Sequence, residues 1–142
     1  MKYRMGAALL SLIGFFVATY LWLYKIGRIP GLACGTGGCE TVQSSPWARL
    51  LGQPVALYGV AGYLATLICA MIAMQQPADR PHWSDRLLLL GATLGFAFTA
   101  WLTYAEAFLI HAWCRWCLGS AAIIALLFVC ALLSWRSLRP AR

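Results

Sequence analysis

Four of the six cysteines fall as two pairs whose spacing suits thiol–disulfide exchange. Cys34 and Cys39 enclose Gly35-Thr36-Gly37-Gly38, and 75 residues further on Cys114 and Cys117 form a C-x-x-C inside WCRWC. The C-x-x-C precedes an apolar run, so its sulfurs sit in or just before the first turn of a helix. An i, i+3 spacing there brings both to one side, within disulfide reach. The unsatisfied amides and dipole of a helix start favour an anion. They therefore favour the thiolate, the reactive form of cysteine, and Arg115 between the pair adds positive charge. The loop pair is built differently. Three glycines in four residues give an uncluttered, flexible link. A soluble partner can approach such a disulfide closely, and Cys39 can swing toward Cys114. Two pairs on one membrane face would form a redox relay. Two other readings use the same residues. Four thiolates can hold zinc, although the four-residue gap of the loop pair is at the edge of the usual range. Two static disulfides would instead brace a non-enzymatic membrane scaffold or binding subunit.

The elements that position these cysteines are membrane spans. The chain is 62% hydrophobic and 11% charged, with mean hydropathy +0.74. An ordinary soluble domain is roughly 25% charged. Its 142 residues are enough for one domain. A bilayer core needs about 20 apolar residues per helix. Four segments meet that length: approximately 6–24, 55–74, 87–110 and 117–135. The fold class expected is all-α, an integral-membrane four-helix bundle. The first span is read as retained rather than as a cleaved signal, because its long apolar run ends in YLWLY and not in a small-residue cleavage site.

The net charge of +7 does not point to nucleic acid, because the basic residues sit at segment ends, where orientation signals belong. Lys2, Arg4, Arg80, Arg86, Arg136, Arg139 and Arg142 fall on one side; Lys25, Arg28, Arg49 and Arg115 fall on the other. Seven against four places both termini and the QQPADRPHWSDR loop in the cytoplasm. All four paired cysteines then share the outer face, where disulfides persist.

The outer loop over 25–54 is the one long connection, and it carries a helix signal. Ser45 can be an N-cap, Pro46 suits the first helical position, and Gly52 can end a short amphipathic half-helix over Trp47–Leu51. Such a helix would lie at the interface and lid the bundle. Gly91 with Gly95, and Ala61 with Ala65, have the small-residue spacing that lets membrane helices approach closely. Cys69 and Cys130, in mid-span, are expected to pack as small hydrophobes.

A relay needs a terminal acceptor. The sequence contains no haem-attachment C-x-x-C-H, no iron–sulfur cysteine set and no dinucleotide-binding G-x-G-x-x-G. Elimination leaves a lipid-soluble quinone, bound among the outer helix ends next to Cys117. Glu106 and His111, five residues apart near the outer end of the third span, could relay protons to it. An ionisable group inside a membrane is a functional candidate, though the wet interface would also accommodate both. Tyr58 and Tyr63 in the second span could contact a quinone or simply pack.

The run CGTGGCETVQSSPWARLLGQPVALYGVAGYL, followed by YAEAFLIHAWCRWCLGS, resembles bacterial members of the vitamin K epoxide reductase family. The order carries the likeness: a loop cysteine pair, Ser-Ser, a short helix, G-x-P, the second span, then C-x-x-C opening the fourth. DsbB-type proteins do similar chemistry but have their C-x-x-C in the first outer loop. The resemblance spans about Gly6 to Leu133. It implies a single transmembrane domain over 1–142, with four helices around a quinone (ubiquinone or menaquinone) and the half-helix as a lid. It also implies roles. Cys34 would exchange with a thioredoxin-like, DsbA-like partner. Cys39 would attack Cys114, and Cys117, released as thiolate, would reduce the quinone. Ser44 and Ser45 match serines near the family's site. The implied protein is a thiol:quinone oxidoreductase of the bacterial inner membrane, with its active site on the periplasmic face. The chain departs from animal members in its short loop spacing, in Gln43 and in Ala121, where those have aromatic residues; this weakens vitamin K epoxide as a substrate. The fused thioredoxin-like domain of some bacterial members is not expected here, so the partner would be separate.

Overall fold

The computed structural model describes residues 2–28, 46, 49–50, 52–77, 79–110 and 115–138. Nearly all of them belong to four helices: α1 (Lys2–Lys25), α2 (Val55–Gln75), α3 (Trp83–Tyr104) and α4 (Arg115–Leu138). A π-helical turn, Ala105–Ile110, prolongs α3. All four helices are long and apolar enough to cross a membrane. Even α2, the shortest at 21 residues, is roughly 32 Å long at 1.5 Å per residue, matching a hydrocarbon core of about 30 Å. Their outer surfaces are correspondingly apolar. Leu9, Phe16, Leu94 and Phe108 are 60–63% exposed, which suits lipid and would be a liability in water. The chain is thus an all-α, multi-pass membrane bundle.

Helix α1 packs on α2 and α4, and α3 closes the ring between them. Neighbours run antiparallel: Ser11 meets Thr66, Gly91 meets Thr66, Gly95 meets Ile124, and Gly6 meets Cys130. One end of the bundle therefore collects Lys25, Val55, the π turn and Arg115. The opposite end collects Lys2, Gln75, Trp83 and Leu138.

Small residues set the helix spacing. A Cβ on Gly14 would overlap the ring of Tyr63, and one on Gly59 would sit 3.4 Å from Ala18 Cβ. Glycine at 14 is what lets α1 approach α2 at Tyr63. Gly91 and Gly95 do the same for α3, against Thr66 on α2 and Ile124 on α4, so that motif is used inside the bundle. Ala61 and Ala65 are exposed and take no part in it. Cys69 and Cys130 carry free thiols and pack against the core around Ala70, Leu127 and Ala131.

The end bearing Lys2 is locked by a polar clasp. Arg4, 1% exposed, donates from Nε and Nη2 to the two carboxylate oxygens of Asp85 at 3.1 and 2.7 Å. Its Nη1 donates to the Gln76 carbonyl at 3.0 Å, and Ser84 Oγ donates to Gln76 Oε1 at 2.6 Å. One residue thereby ties the start of α1 to the end of α2 and the start of α3. Asp85 also accepts the His82 N–H at 3.0 Å, which is half of a capping box. That cap explains why α3 begins at Trp83, four residues before the apolar run at Leu87.

The opposite end holds a correction. Arg49–Leu50 and Gln53–Pro54, β1 and β2, pair antiparallel, with Arg49 opposite Pro54 and Leu50 opposite Gln53. The half-helix expected over Trp47–Leu51 therefore does not continue through Arg49 and Leu50; Trp47, Ala48 and Leu51 lie outside the described residues. Gly52, at φ +81°, occupies the hairpin turn rather than a helix C-cap. The left-handed backbone that suits a C-cap glycine also suits a tight turn, so the residue type alone could not separate the two.

Candidate active site

The end bearing Arg115 surrounds a cavity of about 160 Å³ in the middle of the bundle. All four helices contribute. Ala18 and Leu21 come from α1; Tyr58, Gly62, Tyr63 and Thr66 from α2; Phe98, Leu102 and Thr103 from α3; and Cys117, Ser120 and Ile124 from α4. Glu106, on the π turn, completes the lining. The wall is mainly apolar, with a few convergent polar groups, the usual form of a small-molecule site. An apolar cavity of about 150 Å³ accommodates a benzene-sized ring. The space and lining therefore fit the head of a quinone.

Cys117 is the third residue of α4, so it lies in the helix's first turn, where amide N–H groups lack intrahelical acceptors. It is half-buried, packs against Leu21, and lines the cavity. Its neighbour Trp116 meets Tyr20 of α1 with ring centroids 4.9 Å apart, which fixes the start of α4 against α1.

Tyr63 serves as a strut across the site. Its phenol donates to the Ser120 carbonyl at 3.1 Å and shares a 2.9 Å hydrogen bond with Ser120 Oγ. Ser120 is one turn after Cys117 on the same helix face. Behind the strut, Thr66 Oγ1 donates to the Tyr63 carbonyl at 3.0 Å and accepts from Ser11 Oγ at 3.0 Å. Hydroxyl hydrogen bonds thus tie α1 to α2 and α2 to α4 at the cavity.

Glu106 is 3% exposed. Of the two environments open to it from sequence, the wet interface and the bundle interior, it occupies the interior. The π turn lies at the end of the α3 stripe that runs through Gly91, Gly95, Phe98 and Leu102, and it keeps Glu106 in line with that cavity-facing stripe. Such turns recur at functional sites in helices.

Of the expected site residues, the structure brings Cys117, Tyr58, Tyr63 and Glu106 to one cavity. Cys34, Cys39, Ser44, Ser45, His111 and Cys114 lie outside the described residues. Thr66, Phe98 and Ser120 were not singled out from sequence. Ser120 had a usable signal, its i+3 position from Cys117. Phe98 and Thr66 are placed by tertiary packing and carry no local mark. Among the described residues, no cluster of three or more His, Cys, Asp or Glu side chains could hold a metal ion.

The site so far defines a class: a membrane helix bundle with an apolar cavity faced by a cysteine at a helix start. Residues 6–132 match the family model described as the vitamin K epoxide reductase family. The match covers most of the chain, and the chain belongs to that family. Its members are membrane thiol oxidoreductases that use quinones.

Proposed function

We propose that the chain is a thiol:quinone oxidoreductase of the bacterial inner membrane that generates disulfides. In this reading it reoxidises a separate thioredoxin-like, DsbA-like partner and passes the electron pair to a membrane quinone, ubiquinone or menaquinone. The observation that carries it is the position of Cys117, a half-buried sulfur at a helix start on the wall of a ring-sized apolar cavity.

The chemistry starts with a Cys34–Cys39 disulfide and a Cys114–Cys117 disulfide. A partner thiolate attacks Cys34, forms a mixed disulfide and releases Cys39 as thiolate. The partner's second thiol resolves that bond and frees Cys34. Cys39 attacks Cys114, which releases the Cys117 thiolate against the cavity. Cys34 then reforms its bond with Cys39 and releases Cys114. Finally Cys114 and Cys117 close to a disulfide, and their electron pair leaves through Cys117. A quinone bound in the cavity supplies the two-electron acceptor. The net change is one dithiol plus one quinone to one disulfide plus one quinol.

Supporting this reading, the elements that flank the other three cysteines in sequence have their near ends at Lys25, Arg49, Ile110 and Arg115, all at the cavity end of the bundle. Charge bias makes that the periplasmic end, with both termini cytoplasmic. Tyr58, Tyr63 and Glu106 form part of the quinone seat; the family resemblance assigns Ser44 and Ser45 to the same site, and His111 is a further candidate for it. The whole chain acts as one transmembrane domain.

The test uses purified protein, a reduced DsbA-like partner and a short-tailed ubiquinone. Quinone absorbance should fall in step with partner oxidation, and serine at Cys34, Cys39, Cys114 or Cys117 should each stop turnover. If every cysteine variant kept the activity, the relay would be wrong, and a scaffold with static disulfides would stand in its place.

A further inference from the structure

We propose that Glu106 is the acid of the site, giving its proton to the carbonyl oxygen of a bound quinone as the electron pair leaves through Cys117. The inference rests on the reading of the cavity as the quinone seat, and adds where the proton comes from.

Hydrogen-bond bookkeeping narrows the choice. Reduction of a quinone takes two electrons and two protons, and oxidation of the partner dithiol releases the same number. The electrons leave through sulfur, but a proton must be presented at oxygen inside an apolar cavity. Among the described lining residues, Glu106 is the one carboxyl group. Three of the hydroxyls that line the same cavity donate to backbone carbonyls. Tyr63 donates to Ser120, Thr66 to Tyr63, and Thr103 to Thr99, at 3.1, 3.0 and 2.9 Å.

Placement suits the role. Glu106 is 3% exposed and lines the same cavity as Cys117. It sits four residues from Ile110, where the helix reaches the outer end of the bundle. The carboxylate left after transfer is recharged at that end by a proton released from the dithiol. One of the two protons thereby travels through Glu106 for each quinone reduced, and the dithiol's other proton reaches the second quinone oxygen from water.

The test separates the two half-reactions in the full-length protein, comparing wild type with Glu106→Gln, Glu106→Asp and Tyr58→Phe. Mixed-disulfide formation with a partner lacking its resolving cysteine reports the thiol half. Quinol formation by the fully reduced protein, mixed with a short-tailed ubiquinone, reports the quinone half. General-acid groups contribute about 10²-fold or more. Glu106→Gln should therefore slow quinol formation about 100-fold, while mixed-disulfide formation and quinone affinity stay near wild type. Glu106→Asp should recover part of the rate. Infrared difference spectra recorded on adding the ubiquinone should show a carboxylic-acid C=O band that Glu106→Gln removes and Glu106→Asp shifts. A wild-type rate in Glu106→Gln, an unchanged infrared band, or a defect found in Tyr58→Phe instead would overturn the assignment. Loss of quinone affinity in proportion to rate would make Glu106 a wall of the pocket rather than its acid. If wild type itself reduces no quinone, the underlying reading fails instead.

Discussion

Cys117 depends on residues that do no chemistry themselves. It is held at the cavity wall because α4 is pinned on two sides, by Trp116 against Tyr20 and by Ser120 against the Tyr63 phenol. Tyr63 in turn fits only because residue 14 has no side chain. Gly14→Ala should therefore force the Tyr63 ring off its place, costing about 1–3 kcal/mol of stability. It should also weaken quinone binding, since the displaced ring borders the cavity. Thermal unfolding in detergent and fluorescence titration with a quinone check the two effects, and a neutral result in both would contradict the strut. Tyr63→Phe keeps the ring but removes the hydrogen bonds to Ser120, an expected loss of about 1 kcal/mol, smaller than that of Gly14→Ala. Much of this site was legible in the sequence. Cys117 was marked by its spacing from Cys114, and Glu106 by being an acid in an apolar run. Ser120 and Gly14 were not marked, because their roles come from partners 57 and 49 residues away in sequence.

The four helices are legible at the scale of elements because a bilayer imposes one length and one composition on each span. Hydropathy therefore located α1, α2 and α4 within a few residues of their ends. The starts of α1 and α3 were each placed four residues late. Hydropathy sees Asp85 and Arg86 as the edge of the apolar run, whereas the backbone continues to the His82–Asp85 cap. Arg4 is a further case. By sequence it is an orientation charge at a helix start, and by structure it is a buried bidentate partner of Asp85, 81 residues away. No local pattern encodes a pair so far apart. Breaking a buried pair by removing one partner costs about 3–5 kcal/mol, because the other charge is stranded. Arg4→Met should lower the unfolding temperature strongly, and the double variant Arg4→Met with Asp85→Leu should recover most of the loss. Equal instability in the double variant would show that the clasp contributes more than charge neutralisation. The hairpin at Arg49–Pro54 was read as a helix because Pro46 and Gly52 punctuate both structures alike.

At the scale of the whole molecule, the antiparallel ring gives the bundle two unlike ends. One is closed by the Arg4–Asp85–Gln76 clasp, and the other surrounds the cavity with Cys117 and Glu106 at its wall. The proposed relay between aqueous thiols and a lipid-borne acceptor would use this asymmetry, with one end sealed and the other reactive. Orientation can be tested separately from chemistry. A single cysteine introduced at the exposed Asp79 should react with a membrane-impermeant maleimide only in inverted vesicles. Labelling from the outside of intact cells would reverse the topology. The central claim is that Cys117 delivers electrons to a quinone in the cavity, and a single turnover tests it most directly. Fully reduced protein, without any partner, is mixed with a short-tailed ubiquinone, and quinol is measured alongside the oxidation state of each cysteine. The account predicts quinol formation with Cys114 and Cys117 joined in a disulfide, and none from Cys117→Ser. Quinol formed by Cys117→Ser at the wild-type rate would contradict it.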